Sequence, residues 1–146
     1  MTIGQDPFKQ SPELRHQIKD PLSSFFRTFR RETIVEQHPE LAWVLEFFHS
    51  DEVREKNRVQ VLKDHPQEDL WIFAYGSLMW DPAFMFSEVR RAHVADYERR
   101  FILKEMYGGR GSRDAPGLMA ALDHGCGCDG LIFRIPQDIV DVETEI

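Results

Sequence analysis

The sequence has little cysteine, no long apolar run and no excess of basic residues. Its two cysteines, Cys126 and Cys128, are separated by one residue and cannot cross-link distant parts of a fold, which favours a reducing cytoplasm. No apolar stretch approaches the ~18 residues of a membrane span, so no membrane partner is expected. The N-terminus lacks the regions of a signal peptide. The net charge of −7 argues against nucleic acid as a partner, because no positive field recruits phosphates.

The chain divides into a helical first part and a strand-rich second part. Residues 1–68 read as a helical N-terminal extension and residues 69–146 as a domain of strands. Within the extension, a polar lead-in precedes phenylalanines at helical spacing, Phe25, Phe26 and Phe29, which we expect to pack onto the domain. A helix beginning at Pro39 is apolar nearly all round and should be buried. Ser50 or Asp51 caps a charged, solvated helix that continues to about Lys63.

The apolar run Trp71 to Ala74 and the turn that follows it dominate the second part. Aromatic and β-favouring residues without alternation predict a strand buried on both faces, at the centre of the core. Gly76 then interrupts the run, where a glycine allows positive φ and close approach of another group. Backbone N–H groups that converge in such a turn form an anion-binding concavity. The sequence therefore predicts a tight turn over Tyr75 to Leu78 with N–H groups facing a pocket.

Further strands and a long loop are predicted after this turn. Ala92 to Lys104 reads as one or two strands, and residues 118–122 and 131–135 as a hairpin with a glycine-rich connection. Residues 107–117 hold too much glycine and proline for regular structure. Arginines at 110 and 113 in this loop can clamp a carboxylate, whereas the residues alone favour a solvated loop with surface arginines. No Gly-Lys-Ser/Thr follows, so a nucleotide site is not indicated.

Two other groups of residues resemble sites of chemistry. His124, Cys126 and Cys128 supply three ligands where zinc takes four, so free thiols in a loop are favoured and no metal is assigned. Ser77 does not stand in a Gly-x-Ser-x-Gly elbow, and no His–Asp pair is placed to activate it. We therefore interpret Ser77 as part of a binding turn and not as a nucleophile.

Four stretches, in order, resemble the ChaC-type γ-glutamylcyclotransferases. They are residues 72–80 around Tyr75-Gly76-Ser77-Leu78, residues 97–101 (Tyr-Glu-Arg-Arg-Phe), Arg110-Gly111 with Pro116-Gly117, and residues 130–136 from Gly to Pro. The resemblance covers about residues 70 to 146. The chain departs from the family pattern at Leu118, where the family commonly has a basic residue.

The resemblance implies both a fold and a reaction. The fold is α+β, a mostly antiparallel, barrel-like sheet of the γ-glutamylcyclotransferase kind with the helical extension packed outside. The reaction is attack by the α-amine of a γ-glutamyl group on its own side-chain carbonyl, which converts glutathione to 5-oxoproline and Cys-Gly without metal or organic cofactor. The resemblance assigns substrate binding to a set of turn and loop residues: Tyr75, Gly76, Ser77, Leu78, Arg110 and Gly111.

The catalytic residue is left unassigned. A single glutamate can take the proton of the attacking amine and give one to the leaving amine. In the family it belongs to an Arg-Glu pair beyond the start of the helix that here begins at Pro136, with Ile139, Val142 and Ile146 on one face. The chain is thus expected to be C-terminally incomplete and inactive alone.

None of four glutamates in this chain, Glu98, Glu105, Glu143 and Glu145, matches the family position. Glu98 and Glu105 read as solvent-facing charges on a strand, and Glu143 and Glu145 fall about two turns early. The alternatives to an enzyme are a non-catalytic γ-glutamyl or carboxylate-binding module, a cation-transport regulatory module, or an inactive fragment.

Overall fold

The computed structural model describes residues 6–64, 68–107 and 109–145, and it combines helices with antiparallel strands. The α-helices of this part are α1 (Arg31–Gln37), α2 (Asp51–Lys63) and α3 (Val140–Thr144). The strands are β1 (Leu70–Ala74), β2 (Glu88–Val94), β3 (Tyr97–Glu105), β4 (Gly117–His124) and β5 (Cys128–Ile135). Short 3-10 helices span Pro12–His16, Pro21–Ser23, Phe25–Arg27, Pro39–Phe47, Ser77–Met79 and Gln137–Ile139. The predicted mixture of helix and antiparallel sheet is confirmed. No helix in the described ranges has the length and apolar character that crossing a membrane requires.

The strands form two open sheets, and β5 lies at the centre of the larger one. Its order is β1-β5-β2, with both neighbours antiparallel to β5, while β3 pairs with β4 in a second sheet. Ile72 of β1 and Val89 of β2 both lie opposite Phe133, which is fully buried. The prediction that β1 is central was wrong, since Trp71 is 40% exposed. The strands of the described residues form no closed barrel.

The expected hairpin of residues 118–122 and 131–135 is not formed. β4 pairs with β3, with Tyr97 opposite His124, and β5 pairs with β2, with Val94 opposite Cys128. The two ladders therefore meet at a bend where β2 leads into β3 and β4 leads into β5. Asp96, at φ 64°, accepts a backbone hydrogen bond there from Gly125. The apolar pattern of these strands fits a pairing of β4 with β5 as well as the observed pairings of β4 with β3 and β5 with β2. The local sequence therefore did not decide between them.

The extension contains the helix predicted up to Lys63, but its aromatic segments are less buried than expected. Ser50 caps α2, because its Oγ accepts a hydrogen bond from the N–H of Val53 at 3.4 Å. The segment from Pro39 is a 3-10 helix rather than a buried helix, and Phe47 in it is 58% exposed. The phenylalanines expected to pack onto the domain, Phe25, Phe26 and Phe29, are exposed.

The N-terminal residues contribute to the core. Leu14 and Ile18 are buried in one cluster with Phe84, Phe86 and Phe133. Residues 6–20 are thus a packed segment rather than the polar, extended lead-in predicted, and the first five residues of that prediction lie outside the described ranges.

The last helical segment buries a charge and only part of the predicted apolar face, since Ile139 packs against the core. Val142 is exposed, whereas Glu143 is buried. Both Glu143 oxygens accept hydrogen bonds from Arg27, at 2.8 and 2.9 Å, and Oε2 also accepts one from the N–H of Met85 at 2.7 Å. Burial raises the pKa of Glu143, but these hydrogen bonds outweigh it and hold the pKa below its ordinary value. Ile146, expected on the apolar face, lies outside the described residues.

Candidate substrate-binding site

A cavity of about 460 Å³ opens where β1 ends. Its walls come from the end of β1, the turn after it, one face of β3 and the start of β4. Of the residues predicted to bind substrate, Tyr75, Gly76, Ser77, Leu78 and Arg110 all line it. The structure thus brings together a turn and a loop that lie more than thirty residues apart in the sequence.

The turn leaves a run of backbone donors without protein partners. The N–H groups of Met79 and Trp80 bond back to the carbonyls of Gly76 and Ser77, at 2.9 and 3.1 Å, and form a 3-10 turn. No acceptor within the described ranges takes the N–H groups of Tyr75, Gly76, Ser77 or Leu78. Four consecutive unpaired donors beside a cavity are suited to an anionic or carbonyl oxygen. That these groups point into the cavity remains our prediction.

Gly76 keeps the wall of the cavity open. Its φ is −142°, so the left-handed conformation anticipated from the sequence is not used. A Cβ built at Gly76 would meet no heavy atom within 4 Å. The absence of a side chain there gives a ligand access to the backbone rather than relieving a clash.

Glu105, at the end of β3, folds the glycine-rich loop that carries Arg110. Its Oε1 accepts the N–H of Tyr107 at 2.7 Å, and its Oε2 accepts the N–H of Arg110 at 2.6 Å. The backbone N–H of Arg110 and those of neighbouring loop residues lower the pKa of Glu105 against the opposing effect of burial. Glu105 is buried, so its interpretation as a solvent-facing strand charge was wrong. A glutamate directly before a glycine-rich segment, which offers accessible N–H donors, is the signal that could have indicated this role.

Gly111 lies at the base of this loop and not in the cavity wall. A Cβ at Gly111 would collide with the backbone of Gly117 and of Glu105, where the two ends of the loop meet. Gly111 therefore permits the close approach that brings Arg110 to the cavity. A direct contact between Gly111 and substrate remains a prediction.

The outer side of the loop packs against the helical extension. The guanidinium of Arg113 lies 4.2 Å from the centroid of the Trp43 ring, and the rings of Phe47 and Tyr107 are 4.6 Å apart. Arg113 stacks on this aromatic surface and does not line the cavity, so the alternative of a carboxylate clamp formed by Arg110 and Arg113 is not realised. The sequence assigned no role in the site to the extension, whereas Trp43 and Phe47 buttress its loop.

The comparison with known proteins concerns this same strand-rich region. The model of the family described as ChaC-like protein matches residues 70–145, just over half of the chain. The chain belongs to the ChaC-like family. The family match spans all five strands, and with them the turn and the loop that line the cavity.

Relatives of the ChaC-like chain carry names that specify glutathione. It is 37% identical over 98 residues to the glutathione-specific gamma-glutamylcyclotransferase of Escherichia coli, covering 66% of this chain and 42% of that protein. It is 44% identical over 66 residues to glutathione-specific gamma-glutamylcyclotransferase 1 of Homo sapiens, covering 43% of this chain and 29% of that protein. The chain thus spans at most about two fifths of the length of these relatives.

Three glutamates of this ChaC-like chain, Glu98, Glu105 and Glu143, bind other groups of the protein and do not line the cavity. No aspartate or glutamate stands among the residues that line the cavity in the described ranges. Glu98 binds Arg100 at 2.7 Å, Glu143 binds Arg27, and Glu105 binds the loop amides. The lowered pKa values of Glu105 and Glu143 also suit them poorly as bases, since a general base works best with a pKa near the operating pH.

The candidate metal ligands are not assembled. Within the described ranges, no three His, Cys, Asp or Glu side chains are placed to hold a metal ion. Cys126 is exposed, Cys128 is buried, and both are free thiols. The ring of His124 instead stacks on Tyr97, with centroids 5.4 Å apart.

Proposed function

We propose that this chain provides the substrate-binding site of a γ-glutamylcyclotransferase that acts on glutathione. The observation that supports it most directly is the cavity, in which a ChaC-like chain combines the Tyr75–Leu78 turn with Arg110. The names of the relatives support glutathione as the substrate.

In the proposed reaction, the α-amine of the γ-glutamyl residue attacks its own side-chain carbonyl carbon. A C–N bond forms to close the ring, and the amide C–N bond to cysteine breaks. One proton leaves the attacking nitrogen and one reaches the leaving nitrogen, so 5-oxoproline and Cys-Gly form without water or a redox partner. Because the attack is intramolecular, holding the γ-glutamyl group in a reactive conformation supplies much of the rate enhancement.

We assign the binding steps to the residues that line the cavity. The N–H groups of the turn donate hydrogen bonds to the oxyanion that develops on the attacked carbonyl. Arg110 binds the α-carboxylate of the γ-glutamyl residue. Apolar side chains such as Phe73 and Met79, which also line the cavity, exclude water and strengthen both interactions. We assign the acid/base to none of Glu98, Glu105, Glu143 and Glu145, since no carboxylate lines the cavity in the described ranges.

The proposal extends to the fold. We propose the barrel-like γ-glutamylcyclotransferase architecture for the strand domain, whose described residues form two open sheets. The family match from residue 70 supports residues 69–146 as that domain and residues 1–68 as the extension.

A non-catalytic γ-glutamyl-binding module is the second candidate function. The absence of a carboxylate from the described cavity lining favours it. Both candidates require the same binding site, and only turnover separates them.

The proposed site is tested by titrating the 146-residue chain with S-methylglutathione. The methyl group prevents exchange between the ligand thiol and the exposed Cys126. We expect saturable binding, with a stability gain of about 2.7 kcal/mol at 100 times Kd. Arg110→Ala should weaken binding by about 1.5–3 kcal/mol, the net value of a charge-assisted hydrogen bond. No saturable binding, or equal binding by Arg110→Ala, would contradict the proposed site.

Turnover is measured separately, by following 5-oxoproline from glutathione. Binding without turnover agrees with an acid/base outside these residues. Turnover at a rate typical of an enzyme would place the base within this chain and contradict our assignment.

A further inference from the structure

We infer that Arg99 is a second carboxylate-binding residue of the cavity, and that it selects γ-glutamyl peptides with a free C-terminal carboxylate. The inference rests on the function proposed above and narrows its substrate class. In this assignment Arg110 binds the α-carboxylate of the γ-glutamyl residue, and Arg99 binds the carboxylate at the other end of the peptide.

The first argument is the position of Arg99 on β3. Arg99 and Phe101 both line the cavity, as expected for residues i and i+2, which share one face of a strand. Arg110 reaches the same cavity from the loop beyond the end of β3. The two arginines thus line the cavity from separate elements, which in our inference lets an extended ligand contact one with each end.

The second argument is charge. Within the described ranges, no salt bridge involves Arg99 or Arg110, although the chain carries a net charge of −7. The next residue, Arg100, shows the contrast, because it lies 2.7 Å from Glu98 and 3.7 Å from Asp123. With no acidic residue in the lining, the cavity is a locally positive site in an acidic protein.

The third argument is that a neutral acceptor fixes Arg99. Its Nη2 donates to the backbone carbonyl of Asp129 at 3.0 Å. This hydrogen bond orients the guanidinium without neutralising it, and its other N–H donors remain for a carboxylate. A preoriented arginine loses less conformational entropy when the ligand binds.

Two unpaired arginines define a ligand with two anionic groups. A simple γ-glutamyl amine carries only the α-carboxylate, which Arg110 binds. A γ-glutamyl peptide carries a second carboxylate at its C-terminus. Arg99 therefore discriminates between the two classes, whereas the turn N–H groups and Arg110 read only the shared γ-glutamyl part.

The test is a cycle of two proteins and two ligands. Wild type and Arg99→Gln are each titrated with S-methylglutathione and with its glycyl ethyl ester, which differs in lacking the charge at the C-terminus. We expect wild type to prefer the acid by roughly ten- to hundredfold, the range of a hydrogen-bonded charge pair. Arg99→Gln should lose this preference, while its affinity for the ester stays the same.

Matched variants separate recognition from structure. Arg100→Gln removes an arginine from the neighbouring position, which does not line the cavity, and should leave both affinities unchanged. Arg99→Lys keeps the charge and should retain part of the preference for the acid. The melting temperature and circular dichroism of each variant establish that it is folded.

The outcomes distinguish this inference from the proposed function. If wild type binds neither ligand, the proposed function fails and the inference fails with it. If wild type binds acid and ester equally, the γ-glutamyl site stands and Arg99 has no role in selection. If Arg99→Gln weakens both ligands by the same factor, Arg99 acts only through its bond to Asp129, and the inference is again overturned.

Discussion

Replacing Arg27 by methionine tests how the extension is held to the strand domain. The Arg27 and Glu143 side chains are 20% and 6% exposed, and two hydrogen bonds join them across 116 residues of sequence. Arg27 also donates to the carbonyl of Ala83 at 3.0 Å, in the segment that follows the binding turn. In the variant, Glu143 keeps only the N–H of Met85 as a partner in the described structure. The variant therefore removes a buried ion pair together with the hydrogen bond to Ala83.

The expected loss of folding stability in Arg27→Met follows from the burial of Glu143. Removing one partner of a buried pair typically costs 3–5 kcal/mol, because an uncompensated charge remains. Since Arg27 is partly exposed, we take the lower limit, about 3 kcal/mol. In a protein of this size that corresponds to a fall in Tm of about 6–12 °C. The exposed pair of Arg91 and Glu13, at 3.0 Å, is the matched control, and Arg91→Met should cost less than about 1 kcal/mol.

The pH dependence of the Arg27→Met effect provides a second test. In wild type the pKa of Glu143 is below its ordinary value, so its contribution to stability is present above the unfolded pKa and is lost as pH falls through the folded pKa. In Arg27→Met, burial without the arginine raises the pKa of Glu143, and protonation relieves the unpaired charge. The stability difference should thus be largest near pH 7 and shrink towards pH 4. Urea unfolding across this range measures it. Equal effects of Arg27→Met and Arg91→Met, or a difference that does not change with pH, would refute the argument.

Two further predictions concern the cavity, both read by titration with S-methylglutathione. Glu105→Gln should weaken binding as Arg110→Ala does, because a neutral amide holds the loop N–H groups less well than a carboxylate. In wild type, binding should weaken as pH falls through the lowered pKa of Glu105. A Glu105→Gln variant that binds normally would contradict this role of Glu105. Gly76→Ala should leave the melting temperature nearly unchanged, because its Cβ meets no heavy atom within 4 Å. It should weaken binding, because the methyl group narrows access to the N–H groups of the turn. Unchanged affinity would place the ligand elsewhere.

The parts of the structure that the sequence predicted are those with local signals. Ser50 caps α2 because a serine before a charged helix satisfies its first N–H groups within one turn. The turn after Ala74 was predicted because a glycine ends an apolar run, a pattern contained in a few residues. The loop over residues 107–117 was predicted from its glycine and proline. Each signal lies within about ten residues of the structure it specifies.

The features that the sequence did not predict depend on partners that lie far away along the chain, or on backbone groups that no residue type marks. The burial of Glu143 was not predicted, because its partner, Arg27, lies 116 residues away. Glu105 looked solvated because it binds backbone N–H groups, which every residue except proline carries and no sequence pattern marks. The sequence also predicted β1 as the central strand, whereas β5 holds that place. The apolar run of β1 was attributed to the core, but Phe73 and Ala74 also line the cavity.

The helical extension contacts the strand domain at the points that shape the binding site. Leu14 packs in the same core as Phe133, which supports the sheet from which the turn emerges. Arg27 bonds to the segment after the turn, and Trp43 stacks on the loop that carries Arg110. Because a turn and a loop are ordered by the elements packed behind them, these contacts support the proposed binding site from the extension. A substitution within it can therefore change ligand affinity without touching a residue that lines the cavity.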